Sequence, residues 1–272
     1  MLSTEGSVGK KPSARPVPMT EAPVGVSETT EIHTRILRLP LAAAESRIYW
    51  EHVDPTIVNS ERAKLAFEQR WFGAKSAERV KYLLSSFAAR YDAYPNALNV
   101  LRQWSSMDLS TRQAVCHWHL QLTDPIYRRF TGQYLVERRS RSDARVDRDA
   151  VFRWVKNEFP DKWSEATCVQ FASKLLSAAL EAGLVSKRDP RTIQFPKVTD
   201  RALAYWLYLL RETRFEGSLT SNPYLASVGL DEYQLSQRAR ALPGVTMRRM
   251  MSLVEFDWTY PDLLSWAKEV AS

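Results

Sequence analysis

The clearest hydrophobic pattern in the chain is a helical stripe at residues 80–91. Its apolar side chains are Val80, Leu83, Leu84, Phe87, Ala88 and Tyr91. Their spacing of three and four residues places them on one face of an α-helix. Shorter helices are predicted at 40–51, 60–71, 97–105, 111–122 and 125–138. No segment before residue 180 alternates with a period of two, so residues 31–138 predict a multi-helix bundle.

Proline supplies further signals for helix starts. Asp54-Pro55, Asp124-Pro125 and Asn222-Pro223 each combine a side chain that can cap a helix with a proline at the first helical position. Residues 1–30 are different, because they contain Pro12, Pro16, Pro18 and Pro23 and show no hydrophobic periodicity. We expect residues 1–30 to form a disordered tail or linker.

A polar stretch at residues 138–149 predicts a linker and the main domain boundary. The chain after it reads as helix, turn, helix and basic hairpin. The first helix runs from about Arg148 to Phe159, and the second runs from an N-cap at Ser164 to Gly183. The inward residues of the second helix are predicted to be Val169, Ala172, Leu176 and Ala179, with Leu175 and Leu180 beside them. Short strands at 184–186 and 192–195 flank the turn 187–191, so residues 139–199 predict a basic linker and a winged-helix-like unit.

A similar order recurs in residues 200–272. The nine apolar residues 202–210 predict a buried helix, because a membrane span needs roughly 20 residues. Further helices are predicted at 223–228, at 231–242 and after Pro261, with strands at 245–249 and 253–257. We interpret residues 200–272 as a second helical, winged-helix-like unit. The predicted fold class is therefore mainly α, with short β-hairpins in winged-helix-like units.

The charge of the chain is concentrated in its middle. The formal net charge is +7, and residues 126–199 carry fifteen basic against nine acidic side chains. The flanking segments 1–125 and 200–272 are nearly balanced. A focused positive field favours a polyanionic partner such as duplex DNA. The alternative is a soluble protein whose basic face has no nucleic-acid partner.

Three groups of residues are candidate DNA contacts. The outer face of the second helix is polar and can approach base edges, whereas the arm and the wing carry arginine and lysine for phosphates. Because the helix face offers one lysine and no arginine, we expect low sequence specificity. The residues are Thr167, Gln170, Lys174 and Ser177 on the helix, Arg138, Arg139, Arg141 and Arg145 on the arm, and Lys187, Arg188 and Arg191 on the wing.

The sequence contains no signature of catalysis. Cys116, His117 and His119 are close together but do not share one helix face, so we interpret them as packing residues and not as a metal site. The chain has no G-x-S-x-G motif, no P-loop and no E-x-K. We expect no enzyme activity, no catalytic residue, no metal and no cofactor.

The expected compartment follows from two absences. The two cysteines, Cys116 and Cys168, form no CxxC motif. The chain starts without an apolar run, so no secretory signal is predicted. We expect a cytoplasmic protein with no membrane segment.

Three segments resemble the BrxA family of BREX phage-defence systems. They are SAERVKYLLSSFAARYDAYPNALNVLRQW at 76–104, AVCHWHLQLTDPIYRRF at 114–130 and DRDAVFRWVKNEFPDKWSEATCVQFASKLLSAALEAGLV at 147–185. The resemblance implies a NusB-like helical bundle and binding of double-stranded DNA with limited sequence demand. It also implies an accessory role in a defence system that methylates host DNA.

Two alternative functions belong to other classes. One is an assembly adaptor that docks onto larger defence proteins such as a methyltransferase or an ATPase. The other is RNA binding through the helical bundle. The basic residues for RNA would be Arg62, Lys64, Arg70, Lys75, Arg79 and Lys81.

Overall fold

The computed structural model describes residues 25–250 and 253–271. After a 3₁₀ turn at Arg35–Leu37, the first half of the chain is a succession of helices. Helix α3 continues into a π-helical segment at Ala88–Asp92, and a second π-helical segment at Phe130–Tyr134 joins α6 to α7. The helices are α1 (Ala43–His52), α2 (Asn59–Glu68), α3 (Ala77–Phe87), α4 (Pro95–Gln103), α5 (Leu109–Thr123), α6 (Pro125–Arg129) and α7 (Leu135–Arg139).

The second half mixes helices with two small antiparallel sheets. Strand β1 pairs with β2, and β3 pairs with β4 over six residue pairs. The mainly α fold class with short hairpins is confirmed. The elements are β1 (Arg145–Val146), α8 (Arg148–Glu158), α9 (Glu165–Glu181), β2 (Arg191–Thr192), α10 (Asp200–Arg211), α11 (Pro223–Ser227), α12 (Glu232–Arg238), β3 (Val245–Met250), β4 (Leu253–Trp258) and α13 (Leu263–Val270).

Helices α5 and α10 form the centre of the molecule. Every side chain from 114 to 123 in α5 and from 202 to 210 in α10 is buried. The ring of Trp118 stacks on that of Trp206, with centroids 5.0 Å apart. Between the same helices, the imidazole of His119 hydrogen-bonds the hydroxyl of Tyr205 at 2.7 Å. The predicted buried helix at 202–210 is therefore confirmed, and it packs against a helix from the first half of the chain.

Residues 25–30, predicted to belong to a disordered tail, are packed on the helices. The Glu28 carboxylate is buried and lies 3.5 Å from the guanidinium of Arg128. The backbone N–H of Glu28 also donates to the carbonyl of Arg214. The predicted boundary at residue 30 was too late, because a buried ion pair anchors this segment. The rest of the predicted tail, residues 1–24, lies outside the described residues.

The segments predicted as separate units pack onto one bundle. Helix α10 lies against α5, and α13 packs on α4 and α10. Buried apolar side chains from Ile36 to Ala271 form a single cluster. The predicted linker 138–149 is shorter in the structure, because α7 ends at Arg139 and β1 begins at Arg145. Residues 200–272, predicted as a second winged-helix-like unit, instead supply helices to the common core, since the buried residues 202–210 of α10 are covered by α5.

Candidate nucleic-acid interface

The sheet around β1 and β2 brings the arm and the wing together. Arg145 pairs with Thr192, and Val146 pairs with Arg191. On the other side, Ile193 forms an antiparallel bridge with Val185. Three short extended segments therefore lie side by side, with residues 187–190 as the turn between two of them. The hairpin was predicted, whereas β1 was assigned to the linker because two residues are too few to show alternation.

Of the three basic residues of the wing, two face solvent and the third forms hydrogen bonds within the turn. Lys187 and Arg188 are exposed, and within the described ranges neither forms an ion pair. Arg191 is half-buried, and its guanidinium donates to the carbonyls of Ser186 at 3.0 Å and Lys187 at 3.3 Å. Arg191 thus stabilises the turn through hydrogen bonds to its backbone. The structure gives it a role in the shape of the wing, whereas Lys187 and Arg188 face solvent.

The first two arginines of the arm are also used internally. Arg139 donates to the carbonyl of Ser227 at 2.9 Å, and burial lowers the pKa of its guanidinium. Arg138 donates from Nε to the carbonyl of Arg145 at 2.8 Å. These bonds tie the end of α7 to β1 and to α11. Arg138 and Arg139 therefore position the arm, and their N–H groups are partly occupied by the protein's own carbonyls.

Arg141 and Arg145 are the arm residues that face solvent. Both are exposed, and the guanidinium of Arg145 lies 3.6 Å from the carboxylate of Asp143. An exposed pair of this kind is weak, about 0–1 kcal/mol, because water and salt screen it. Arg145 remains available to a phosphate, and the β1–β2 pairing places it beside the wing.

Helix α9 begins as predicted, with the Ser164 hydroxyl accepting from the N–H of Thr167. On the predicted outer face, Gln170 and Ser177 are exposed, whereas Thr167 and Lys174 are half-buried. The inward prediction was wrong for Val169, which is 37% exposed. Cys168 takes the buried position instead, because it lies one helical turn before the buried Ala172.

An acidic cleft separates α9 from the wing. It has a volume of about 520 Å³, and Arg148, Ser173 and Leu176 are among its lining residues. Three carboxylates, those of Asp147, Asp149 and Asp189, line it as well. Carboxylates repel phosphate, so this cleft lowers the positive potential locally between α9 and the wing.

Arg148 is the basic residue that sequence reasoning missed. It is exposed at the first position of α8, and it lines the cleft beside the wing residue Arg191. From the sequence, Arg148 is predicted only as a helix start. The signal that could have identified it is its position three residues after the arm residue Arg145.

The Cys-His cluster at 116–119 belongs to the core. His117 hydrogen-bonds the hydroxyls of Tyr127 at 2.9 Å and Ser227 at 2.8 Å. Burial lowers the pKa of both His117 and His119 to about 3, so both imidazoles are neutral at pH 7. Burial also raises the pKa of Cys116 to about 11, which keeps the thiol protonated and unreactive.

The described residues contain neither a membrane-spanning helix nor a cluster of metal ligands. Within 25–250 and 253–271, no helix combines the length and the apolar character that a membrane crossing requires. In the same residues, no group of three or more His, Cys, Asp or Glu side chains has an arrangement that could hold a metal ion.

Much of the chain matches a known protein family. A sequence model of the BrxA family matches residues 32–206, which is more than half of the chain. The chain belongs to the BrxA family. Membership associates it with BREX phage-defence systems, and the resemblance drawn from the three sequence segments is confirmed. The match includes the arm, α8, α9 and the wing, whereas α11, α12, the β3–β4 hairpin and α13 follow the matched residues.

Structural comparison agrees on the fold. The chain is similar to a crystal structure of an uncharacterized protein from Magnetospirillum magneticum, with a TM-score of 0.50 and 14% sequence identity. The similarity covers 66% of this chain and 97% of the other. At that identity the similarity concerns the fold alone. No curated protein matches the chain.

Proposed function

We propose that the chain is a non-enzymatic, double-stranded DNA-binding accessory protein of a BREX-type defence system and works in the cytoplasm. One observation carries the proposal. The pairing of β1 with β2 puts the exposed Arg145 in the same small sheet as the turn that bears Lys187 and Arg188. Cations that are distant in sequence therefore converge on one surface, as phosphate binding requires.

The topology supports a winged-helix mode of binding. Strand β1, helices α8 and α9, and the hairpin at 184–193 follow one another in the order of a winged helix. In this mode α9 would lie in the major groove, with Gln170 and Ser177 toward the bases. The wing would rest on the backbone through Lys187 and Arg188.

Low sequence specificity follows from the composition of this surface. The exposed part of α9 offers one amide and small hydroxyls but no arginine for a bidentate contact with guanine. The exposed cations lie on the arm and the wing, where they meet phosphates. Affinity should therefore depend more on salt than on base sequence.

Fluorescence anisotropy with a labelled 30-base-pair duplex, titrated at several salt concentrations, tests the proposal. We expect a linear relation between the logarithms of affinity and salt, with similar slopes for unrelated sequences. The double variant Lys187→Glu/Arg188→Glu should weaken binding at least tenfold and reduce the slope. A matched control is Lys64→Glu/Lys81→Glu, which reverses two exposed charges on α2 and α3.

The same control tests the RNA alternative. Arg62, one of the six residues proposed for RNA, is buried and bonded to the carboxylate of Asp92 at 2.6 Å, so it cannot contribute. Selective loss of structured-RNA binding in Lys64→Glu/Lys81→Glu would favour the RNA function. Equal loss of duplex binding in both double variants would contradict the wing assignment. Co-purification with a defence methyltransferase or ATPase, without any affinity for DNA, would favour the adaptor.

A further inference from the structure

Phe195 is an exposed aromatic residue whose ring is held in place. Its side chain is 64% exposed. On one side the guanidinium of Arg139 lies 4.4 Å from the ring centroid. On another side the ring touches Gly229, where a Cβ atom would lie 2.0 Å from Cδ1 of Phe195. An aromatic side chain that is rigid before binding loses little entropy on binding, which is a property of interface anchors.

The ring borders an apolar groove with a volume of about 400 Å³. The groove lies between the segment after the wing and helix α12. Val198, Val228 and Leu230 line it, and Tyr233 borders it with 67% of its side chain exposed. This volume is within the range of about 300–1,000 Å³ that is common for binding pockets. It can accept two or three large apolar side chains.

The charges around the groove are mainly positive at the Phe195 end. Lys197 is exposed and lies between two lining residues, Pro196 and Val198. In the part of the chain that the structure describes, neither Lys197 nor Arg139 forms an ion pair. Arg238 also lines the groove and is bonded to Asp200. The Phe195 end of the groove therefore presents cations without an ion-pair partner beside an apolar surface, whereas the exposed Asp231 is next in sequence to the lining residue Leu230. The segment that complements this arrangement is apolar and carries its carboxylates at the Phe195 end.

We propose that this groove is a docking site for a partner protein, and that its occupant is a short acidic segment with two or more large apolar side chains. Phe195 and Tyr233 contact the apolar side chains, and Lys197 faces the carboxylates. The charge of Arg139, whose guanidinium lies against the Phe195 ring and bonds to the carbonyl of Ser227, adds to the positive potential at this end. This surface is distinct from the proposed DNA surface. Phe195 follows the hairpin at the end next to Gly183 and Pro196, whereas Lys187 and Arg188 lie in the turn at the opposite end.

The aliphatic lining favours a protein segment over nucleic acid. Single-stranded DNA binds to aromatic faces along a cationic track, and here part of the Phe195 surface is already occupied by Arg139 and Gly229. The remaining lining is aliphatic and concave, which suits leucine or phenylalanine side chains better than stacked bases. Helix α12 and Gly229 lie beyond residues 32–206, so the groove joins the segment that the family model matches to the one that follows it.

Peptide selection on the full-length chain tests the docking site. A random library of 15-residue peptides is displayed on phage and selected on the immobilised wild-type protein. Enriched peptides are then measured by fluorescence anisotropy against wild type, Phe195→Ala, Tyr233→Ala and Lys197→Glu. A matched control is Phe67→Ala, which removes another exposed aromatic ring, from α2.

We expect the enriched peptides to be acidic and to contain two or more large apolar residues. Their affinity should be at least tenfold lower for Phe195→Ala and for Tyr233→Ala than for the wild-type protein. Lys197→Glu should weaken them as well, whereas Phe67→Ala should leave binding unchanged. Failure to enrich peptides, enrichment of basic peptides, or equal binding to Phe195→Ala would overturn the proposal. So would displacement of the peptides by a single-stranded 15-nucleotide DNA. The affinity of Phe195→Ala for duplex DNA separates the two proposals. It should equal that of the wild-type protein, because the proposed DNA surface does not include the groove.

Discussion

The carboxylate of Glu181, at the end of α9, accepts a hydrogen bond from the backbone N–H of Ala43, the first residue of α1, at 2.7 Å. It also accepts from the N–H of Ala42 at 3.1 Å. Ala42 is the N-cap of α1 and has no side-chain oxygen with which to cap the helix. A side chain that is 138 residues away in sequence therefore caps α1 and joins the segment bearing the wing to the bundle.

Replacement of this distant cap should cost stability. We expect Glu181→Ala to lower the free energy of unfolding by about 1–2 kcal/mol, because two N–H groups and the positive end of a helix dipole lose their acceptor. Urea denaturation monitored by circular dichroism measures the change. Glu137→Ala, which removes an exposed carboxylate from α7, is the matched control and should change stability by less than about 0.5 kcal/mol.

Two neighbouring arginines of the arm should behave differently. Arg139→Ala should lower the free energy of unfolding by about 1–3 kcal/mol, because it leaves the carbonyl of Ser227 without its donor. Arg141→Ala should leave stability unchanged and reduce duplex affinity and its salt dependence, since Arg141 is exposed. Thermal unfolding and anisotropy on both variants check this. The opposite pattern would show that Arg139 is the DNA contact.

The buried histidines make stability depend on pH. The pKa of His117 and His119 is about 3 in the folded chain, against 6.5 ordinarily, so the folded state binds fewer protons. Above about pH 6.5 both imidazoles are neutral in the folded and the unfolded chain, so the free energy of unfolding is at its full value. As the pH falls from 6.5 toward 3, the unfolded chain takes up protons that the folded chain does not, and the free energy of unfolding decreases. We expect the free energy of unfolding to fall by up to about 1.4 kcal/mol per histidine for each pH unit below 6.

Urea titrations at pH 7, 6 and 5 measure this slope. Burial raises the pKa of Asp124, so the folded chain binds this proton more tightly than the unfolded chain does. Protonation of Asp124 at low pH therefore offsets part of the stability that the histidines lose. His52→Asn is the control, because it removes an exposed imidazole and keeps both buried ones. Equal stability at pH 7 and pH 5 would mean that the buried imidazoles accept protons without unfolding.

Gly132 marks a close approach between two helical segments. A Cβ atom there would lie 2.5 Å from Cβ and 2.8 Å from the carbonyl oxygen of Pro223, at the start of α11. We expect Gly132→Ala to cost about 1–3 kcal/mol through overpacking, measured by thermal or urea unfolding. Gly73→Ala is an informative comparison, because Gly73 has φ +74° and nothing within 4 Å of the added atom. Its cost should be that of backbone strain alone, about 1–2 kcal/mol.

The helix starts show which structural features the local sequence can predict. Asp124 and Asn222 cap α6 and α11 as predicted, each accepting from an N–H three residues later. Asp54-Pro55 has the same pattern, yet the chain makes a turn there and α2 begins at Asn59. The difference comes from Arg62, whose guanidinium binds the carbonyls of Pro55 and Ile57. A side chain five to seven residues further along the chain thus takes acceptors that a helix beginning at residue 55 would have used.

Local sequence is enough to predict the helices, the buried run at 202–210, the hairpin around the turn 187–191 and the concentration of basic residues. These features depend on periodicity, on caps and on composition, which are local properties. Long-range packing is needed to show that α10 packs on α5, that Arg139 and Arg191 bind carbonyls, and that Arg141 and Arg188 face solvent. Neighbouring arginines are alike in sequence. Their roles diverge because burial and hydrogen bonding depend on which remote segment folding brings within about 3 Å.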